Sequence, residues 1–406
     1  MSLEFEKLSS AVDDMVQHAS QRRGQQLEQL QNAHARLKEH ATSWDLIGDA
    51  IETAVNKGDR KYYRAARPVH ESHPLDTGIP ASAPPSRATI IACDGSQIVP
   101  DRHAPFLYYL INTGIIAYYH GSGSPPDTYS YPVLEYPRDL ARDEDDAFTL
   151  NSALVSLWRD QLEIESLAKT VVQTKHVAGP QLAILDQRLL YWPAGGLPGQ
   201  EGQKVVEAWQ ESMREIRLAG AWLAGFVDRP GKRSVLSMLH TLDIKQPAFR
   251  VSDLYKSPLL NRLTDIDLFD PILRMGERSA VFVEISHINS SFRGEDEENE
   301  VCFFYLRTGT GSRQLARVDI PMWVARDEEI VSAVHALIYD QCRILGHYPY
   351  VITRADEIAV VGRRDQEELE HRIALRLSEQ GLDAQMTSKQ QSKQFARSSK
   401  TRHERI

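Results

Sequence analysis

The sequence predicts a mixed α/β fold: a central sheet flanked by helices, with a helical extension at the N-terminal end. Short apolar runs that suit buried strands, such as Ala88–Cys93 and Leu182–Leu185, are one reason. Longer segments with apolar residues at helical spacing, such as Glu328–Leu345, are the other. Because both kinds of segment are mixed along the chain, they indicate a layered α/β core.

The N-terminal part, residues 1–66, is predicted to be a helical extension. Between Leu3 and Lys57, apolar residues recur at helical spacing among polar ones: Leu27, Leu30, Ala33 and Leu37. This pattern fits an antiparallel helical pair or an arm that binds a partner. Residues 67–87 contain five prolines and several serines, which is typical of a linker.

The core domain is predicted to span residues 88–385, followed by a basic tail over residues 386–406. Its first strand, Ala88–Cys93, is expected to end in a turn at Asp94, Gly95 and Ser96. The further predicted strands are Phe106–Leu110, Ile115–Tyr119, Leu182–Leu185, Val281–Ile285, Cys302–Leu306 and Ile358–Val361. The predicted helices are Asp143–Thr174, Val205–Leu223, Glu328–Leu345 and Asp365–Gln380.

Composition limits the class of protein. No stretch is long and apolar enough to cross a bilayer, the N-terminus lacks the pattern of a signal peptide, and three widely spaced cysteines suit a reducing compartment. These features predict a cytoplasmic protein. A net charge of −9 argues against a surface that is positive throughout, although it leaves room for local basic contacts with DNA. The basic tail is either a solvated segment or an arm that contacts phosphates.

Two acids follow predicted core strands directly: Asp94 after Ala88–Cys93, and Asp186 after Leu182–Leu185. In an α/β sheet, functional groups collect at strand ends. Carboxylates that lie close together repel each other unless a cation binds between them, and hard oxygen ligands suit Mg²⁺ or Mn²⁺. Two such ions can support phosphodiester hydrolysis. Either acid taken alone is better explained by ordinary turn chemistry.

Four segments, in order, resemble the motifs of the NurA family of nucleases. Cys93–His103 with Tyr108–Gly114 is similar to the opening motif, a strand that ends in Asp-Gly-Ser. Trp158–Glu163 resembles the second, an Arg followed four residues later by a metal-binding Glu. Ala183–Asp186 resembles the third, a strand that ends in Asp, and Tyr348–Asp356 the last, a Tyr-Pro that leads to Ala and a metal ligand. The similarity covers roughly residues 88–362.

The resemblance implies an RNase H-like core that cuts DNA with Mn²⁺ or Mg²⁺, bound as a pair of ions. Members of the family act as single-strand endonucleases and 5′-to-3′ exonucleases in end resection, typically as a dimer docked on a hexameric HerA-type ATPase. By position, the implied metal ligands are Asp94, Glu163, Asp186 and Asp356. Tyr348 is the implied supporting residue of the active site.

Two positions depart from the family pattern. The third motif continues as Asp186-Gln187-Arg188 where Asp-Gly-Ser is common, and the last ligand is Asp356 where archaeal members often have His. On the second motif, Glu163 is preferred to Glu165 because of its spacing from Arg159, but Glu165 lies nearer the apolar stripe of the helix.

Other interpretations stay open. The loop from Asp228 to Arg233 is either a solvated turn or a set of cations placed against the DNA backbone. The chain lacks the Lys and Ser/Thr of a phosphate-binding P-loop, so ATP hydrolysis is not expected. Two alternative functions are a non-catalytic docking subunit of a translocating ATPase and a nuclease that acts on RNA or on hybrid strands.

Overall fold

The computed structural model of the protein describes residues 5–57, 63–100, 107–136, 152–175, 177–192, 199–243, 263–293 and 298–381. The chain forms two compact units. The first unit contains Met1–Ser86, Leu185–Leu190 and Trp222–Tyr350. The second unit contains Arg87–Ile184, Tyr191–Ala221 and Val351–Ile406.

Strands and helices alternate along much of the chain. The strands are β1 (Ala65–Pro68), β2 (Ile79–Pro80), β3 (Ala88–Ile98), β4 (Tyr109–His120), β5 (Asp127–Glu135), β6 (Gln181–Leu185), β7 (Trp222–Asp228), β8 (Glu277–Arg278), β9 (Phe282–Ile285), β10 (Val301–Arg307) and β11 (Leu315–Pro321). A 3₁₀ turn, Phe5–Leu8, precedes the first helix. The helices are α1 (Ser9–Glu39), α2 (Trp44–Lys57), α3 (Ser152–Gln173), α4 (Gly199–Leu218), α5 (Ser234–Asp243), α6 (Asp265–Phe269), α7 (His287–Phe292), α8 (Met322–Ala325), α9 (Glu328–Leu345), α10 (Tyr350–Ala359) and α11 (Arg363–Glu379).

The first unit is built on an antiparallel sheet in the order β1-β9-β10-β11-β7, with β8 pairing with β10 and β2. Its hydrophobic core includes Leu37 of α1 and Ile47 of α2, both fully buried, together with Phe282 of β9 and Phe303 of β10. The N-terminal helices therefore share a core with the sheet rather than forming a separate extension. The prediction of a linker over residues 67–87 is also wrong in part, because this segment contributes residues to β1 and forms β2.

The second unit carries the sheet order β6-β3-β4-β5. β3 and β4 are antiparallel partners along their whole length, from the pair of Ala88 with His120 to the pair of Ile98 with Leu110. Helix α3 packs on both strands and on α4. Its buried face includes apolar residues and one acid: Leu154, Val155, Leu157, Glu163, Ile164, Leu167 and Ala168.

The structure corrects three predicted elements. β3 does not end at Cys93 but continues to Ile98, because Asp94, Gly95 and Ser96 pair with β4 and thereby satisfy their backbone. The two strands expected between Phe106 and Tyr119 form one strand, β4. The strand expected at Ile358–Val361 is wrong: α10 runs to Ala359, and the Val360 N–H still donates to the Asp356 carbonyl at 2.9 Å.

Other predicted elements are confirmed. The helix over Glu328–Leu345 has the predicted bounds: Asp327 caps its first turn by accepting from Glu329 N at 2.9 Å, and Gly346 ends it at φ 92°. The strand at Leu182–Leu185, the paired strands Val281–Ile285 and Cys302–Leu306, and the last helix are also present. Residues 101–106 and 137–151 and the basic tail lie outside the described residues.

Among the helices that the structure describes, none combines the length and the apolar character needed to cross a membrane.

Candidate active site

Asp94 lies in the middle of β3, where the strand changes from buried to half-buried. The six residues before it, Ala88–Cys93, are buried, and Asp94 is the first that solvent reaches. Its register partner on β4 is Gly114. Asp94 is therefore placed by a continuous strand pairing and not by the turn that the Asp-Gly-Ser sequence suggested.

Gly114 lets helix α10 approach the sheet. A Cβ at this position would overlap the Ala359 backbone nitrogen and would stand 2.6 Å from the Ala355 carbonyl oxygen. Only a glycine leaves room for the helix backbone at this point of β4. Because Gly114 pairs with Asp94, the same close approach brings the helix that carries Asp356 next to Asp94.

Two polar side chains fasten the C-terminal end of α10 to the strands. Ser96 Oγ donates to the Ala359 carbonyl at 2.5 Å and accepts from Val361 N at 3.0 Å. Asn112 Nδ2 donates to the same Ala359 carbonyl at 2.8 Å. Backbone groups at a helix end lack partners inside the helix, so these bonds satisfy them and fix the helix position.

The carboxylates of Asp94 and Asp356 interact directly. Burial raises the pKa of Asp94 above its usual value of 3.8, and the hydrogen bond from Gly95 N at 2.8 Å opposes that rise. The charge of Asp356 and a hydrogen bond shared with it raise the pKa of Asp94 further, while Arg159 lowers it. Two carboxylates held together in this way favour either a shared proton or a bound cation.

Helix α3 supplies Glu163, which is 5% exposed. Its Oε1 lies 3.1 Å from Arg159 Nε, one helical turn earlier. A Cβ on Gly95 would stand 2.5 Å from this same oxygen and 2.8 Å from Arg159 Cγ, so Glu163 and Arg159 both pack directly against the residue after Asp94. Asp94, Glu163 and Asp356 thus belong to one region of the second unit.

The sequence left open whether Glu163 or Glu165 faces the strands. Glu163 is the buried one, while Glu165 is half-buried and accepts a hydrogen bond from Gln161 Nε2 at 2.7 Å on its own helix. The apolar stripe does not exclude Glu163, because Ile164, Leu167 and Ala168 are buried together with it. That Glu163 binds a metal stays a prediction.

Arg159 has a role that its motif position did not suggest. It contacts Glu163 and also donates from Nη2 to Asp160 Oδ1 at 2.9 Å, and Asp160 in turn accepts from the Tyr191 hydroxyl at 3.2 Å. The guanidinium therefore neutralises part of the acidic cluster and is itself held in place. Sequence reasoning also assigned no role to Ser96, Asn112 and Gly114, although all three lie in the segments that carry the resemblance.

Asp186 and Tyr348 lie in the first unit. Asp186 follows β6 directly, as predicted, and is exposed. Tyr348 is half-buried and packs edge-on against Phe226 of β7, with ring centroids 5.2 Å apart. The predicted roles of Asp186 as a ligand and of Tyr348 as a supporting residue remain predictions.

Within the described ranges, no three acidic, histidine or cysteine side chains form a ready-made metal cage. The donor set nevertheless suits a hard divalent cation, because carboxylate oxygens are its preferred ligands and the charge of Asp356 adds to the rise that burial causes in the pKa of Asp94. The site therefore combines a half-buried Asp on a strand, an exposed Asp on a helix and a buried Glu with an Arg counter-charge.

A comparison with protein-family models identifies the family of this chain. The NurA domain model matches residues 88–361, which is most of the chain, and the protein belongs to this family. The predicted resemblance, over residues 88–362, is confirmed. Membership of the family supports a nuclease. The comparison with curated proteins gave no match.

Several solved structures are partly similar to this chain. One is a crystal structure of NurA, with 12% identity, 72% of this chain and 90% of that chain covered, and a TM-score of 0.34. Another is an endonuclease V from Bacillus subtilis, with 12% identity, coverage of 71% and 86%, and a TM-score of 0.33. A third is LC9-RNase H1, a type 1 RNase H, with 13% identity, coverage of 40% and 71%, and a TM-score of 0.20. The predicted α/β class, sheets flanked by helices, is confirmed by the structure itself.

Proposed function

We propose that this protein is a divalent-metal-dependent DNA nuclease that acts as a single-strand endonuclease and a 5′-to-3′ exonuclease in the resection and repair of broken DNA ends. The observation that supports this proposal most strongly is the contact between Asp94 and Asp356 inside a domain of the NurA family. Carboxylates that repel each other at neutral pH make a divalent cation a favourable partner.

Asp94, Glu163 and Asp356 are the proposed ligands from the second unit, and Asp186 is proposed as a fourth from its motif position. All four offer carboxylate oxygen, which suits Mn²⁺ or Mg²⁺. When bound, one or two such ions supply an activated water and stabilisation of the leaving oxygen. Tyr348 is proposed as a supporting residue, also from its motif position.

Arg159 has a defined task in this proposal. It holds the Glu163 carboxylate against Gly95 and keeps part of the negative charge neutralised. Because Asp160 and Tyr191 fix the guanidinium on its other side, Glu163 keeps one orientation beside Asp94. Ser96 and Asn112 do the same for α10, so each of the three acids is positioned by neutral or cationic groups that need not contact substrate.

The proposal extends to partners and place. A homodimer, a hexameric HerA-type ATPase as docking partner and a cytoplasmic location follow from the family resemblance and from the composition of the chain. Size-exclusion chromatography with light scattering tests the dimer, and co-purification with an ATPase of that type tests the docking.

A cleavage assay tests the central claim. Single-stranded DNA, duplex DNA, RNA and an RNA–DNA hybrid, each labelled at the 5′ end in one set and at the 3′ end in another, are incubated with Mn²⁺, Mg²⁺ or EDTA. We expect metal-dependent cutting of DNA, with products that report the polarity, and no cutting after Asp94→Ala or Asp186→Ala. Cutting confined to RNA or hybrid strands would redirect the proposal to a ribonuclease. Absence of cutting in either metal would favour the non-catalytic docking subunit.

A further inference from the structure

The first unit exposes several cations around one pair of loops, in a protein whose net charge is −9. Arg188 follows Asp186 by two residues and is exposed. Arg229 and Lys232 lie in the loop after β7, with side chains 76% and 34% exposed. In an acidic protein, a local group of cations is the feature through which a polyanion would bind.

A close backbone contact brings the segment Leu185–Leu190 against β7. A Cβ on Gly225 would overlap the Gln187 carbonyl oxygen and would stand 3.1 Å from Leu189 N. The Leu189 N–H also donates to Asp319 Oδ2 of β11 at 3.2 Å. The backbone on either side of Arg188 is therefore fixed by contacts within the first unit.

A buried chain of charges continues from Asp319 to Lys232. Asp319 Oδ1 accepts from Arg317 Nε at 2.6 Å, and Arg317 Nη1 donates to Glu284 Oε2 at 3.0 Å. Lys232 Nζ lies 3.7 Å from the other oxygen of Glu284. Since Glu284, Arg317 and Asp319 are at most 1% exposed, this chain holds the 185–190 segment and the loop of Lys232 in a fixed relation.

The network ends in a cation, Lys232, on its side nearest to solvent. Glu284 and Asp319 face inward and share the charge of Arg317, while Lys232 lies at the boundary with solvent. Burial lowers the pKa of Lys232, Glu284 opposes this, and the charges of Arg317 and Arg188 lower it further. The backbone on both sides of Arg188 and the side chain of Lys232 thus contact the same buried network, and within the described residues Arg188 makes no ion pair.

The loop after β7 carries a second unusual feature. Arg229 has φ 48°, in the left-handed region that residues other than glycine seldom adopt, and it precedes the buried Pro230. Its side chain extends into solvent 3.6 Å from Asp228. Backbone strain of this kind persists where the surrounding structure imposes it, and it is concentrated at binding sites.

We propose that Arg188 and Lys232 form a phosphate-binding pair. This pair binds the backbone of a DNA strand next to Asp186, and Arg229 lies at the outer edge of the binding surface. A phosphodiester group bound by the two cations would be recognised without regard to base sequence. This inference rests on the proposed function and deepens it, because it names the surface of the first unit that holds the substrate.

DNA binding in the absence of cleavage tests the inference. The full-length protein in EDTA is titrated against fluorescein-labelled oligothymidylate, and anisotropy is followed across a series of salt concentrations. We expect Arg188→Gln and Lys232→Met each to weaken binding and to reduce the slope of log K against log [salt] by about 0.7, the value for one phosphate contact on a single strand. Arg188→Lys should restore most of the slope.

Lys38→Met is the matched control, because it removes an exposed cation from α1 of the same unit and should leave the slope unchanged. Thermal melting checks whether Lys232→Met destabilises the protein by leaving Glu284 without its cation. If it does, Arg188→Gln still tests the inference, because Arg188 is exposed. A wild-type slope for folded Arg188→Gln overturns the inference. If Arg188→Gln and Lys232→Met reduce the slope but the wild-type protein never cuts DNA, the phosphate-binding pair is supported and the proposed nuclease activity is overturned.

Discussion

The carboxylates of Asp94 and Asp356 lie side by side in the second unit, one on strand β3 and the other on helix α10. Their closeness depends on Gly114, the register partner of Asp94, against which the backbone of α10 packs without room for a side chain. Repulsion between the two acids costs stability, and the strand pairing and the fastened helix keep them together in spite of that cost.

Replacement of Asp94 by Asn should raise stability and abolish activity at the same time. The folded-state pKa of Asp94 is raised, so the contribution of this group to stability is present at low pH and is lost as the pH rises through that pKa. At neutral pH the metal-free protein carries the cost, and Asp94→Asn removes it while Oδ1 can still accept from Gly95 N. We expect a higher melting temperature in EDTA and no DNA cleavage.

Asp49→Asn, on the exposed surface of α2, is the control and should change neither property. Addition of Mn²⁺ should then stabilise the wild-type protein and Asp49→Asn, but not Asp94→Asn, because a ligand that binds only the folded state shifts melting upward. If Asp94→Asn melts earlier than the wild type in EDTA, the repulsion between the acids is not a cost to the fold.

Glu163→Gln should impair metal binding and cleavage far more than Glu165→Gln. Glu163 is buried, contacts Arg159 and packs against Gly95, whereas Glu165 bonds only within its own helix among the contacts described. Both changes remove one charge without changing volume, so each serves as the control of the other. Calorimetric titration with Mn²⁺ and single-stranded DNA cleavage measure the two effects, and the reverse ranking would make Glu165 the ligand.

Ser96→Ala should weaken metal binding without removing a ligand. Ser96 Oγ bonds both the Ala359 carbonyl and Val361 N, so its loss frees the end of the helix that carries Asp356. Breaking two such bonds should lower the free energy of unfolding by about 1–3 kcal/mol. We expect a higher Mn²⁺ concentration for half-maximal cleavage and a near-normal rate at saturating metal. Ser122→Ala, in the exposed turn after β4, should show neither change.

Strongly periodic and continuous apolar segments could be predicted from the sequence, and the helix Glu328–Leu345 is the clearest case. Its periodic apolar face, its Asp327 cap and its terminal Gly346 all act locally and agree with one another. The candidate acids could be chosen too, but only because four weak motifs occur in order.

The predictions that failed concern features that depend on contacts between distant segments of the chain. Asp94, Gly95 and Ser96 have turn chemistry, yet pairing with Gly114, Thr113 and Asn112 keeps them in a strand. No local pattern shows that Gly114 receives a helix about 240 residues later, a tertiary contact that propensity cannot express. Polar residues around Leu37 likewise suggested a free extension, although Leu37 is buried against the first unit's core.

The packing of α1 and α2 predicts the effect of an N-terminal truncation. Because these helices complete the core of the first unit, deletion of residues before Pro84 should unfold that unit and not merely weaken contacts with a partner. Leu37→Ala, at a fully buried position, should lower the free energy of unfolding by about 2–5 kcal/mol. Leu27→Ala, on the same helix but 56% exposed, should have little effect on denaturant unfolding. Equal stability of the two variants would restore the view of an independent arm.

Asp356 provides the last test, because the family often has His at this position. A carboxylate binds Mg²⁺ and Mn²⁺ through hard oxygen, whereas an imidazole nitrogen favours softer ions. Asp356→Asn should weaken cleavage of single-stranded DNA in both metals, because it removes a charged ligand from beside Asp94. Asp356→His should retain more activity with Mn²⁺ than with Mg²⁺.

Glu357→Gln is the control, since Glu357 is exposed and pairs with Arg354 on the same helix. Cleavage is measured for all three variants across a titration of each metal. Wild-type activity of Asp356→Asn in both metals would show that this acid contributes only charge to the surface of α10.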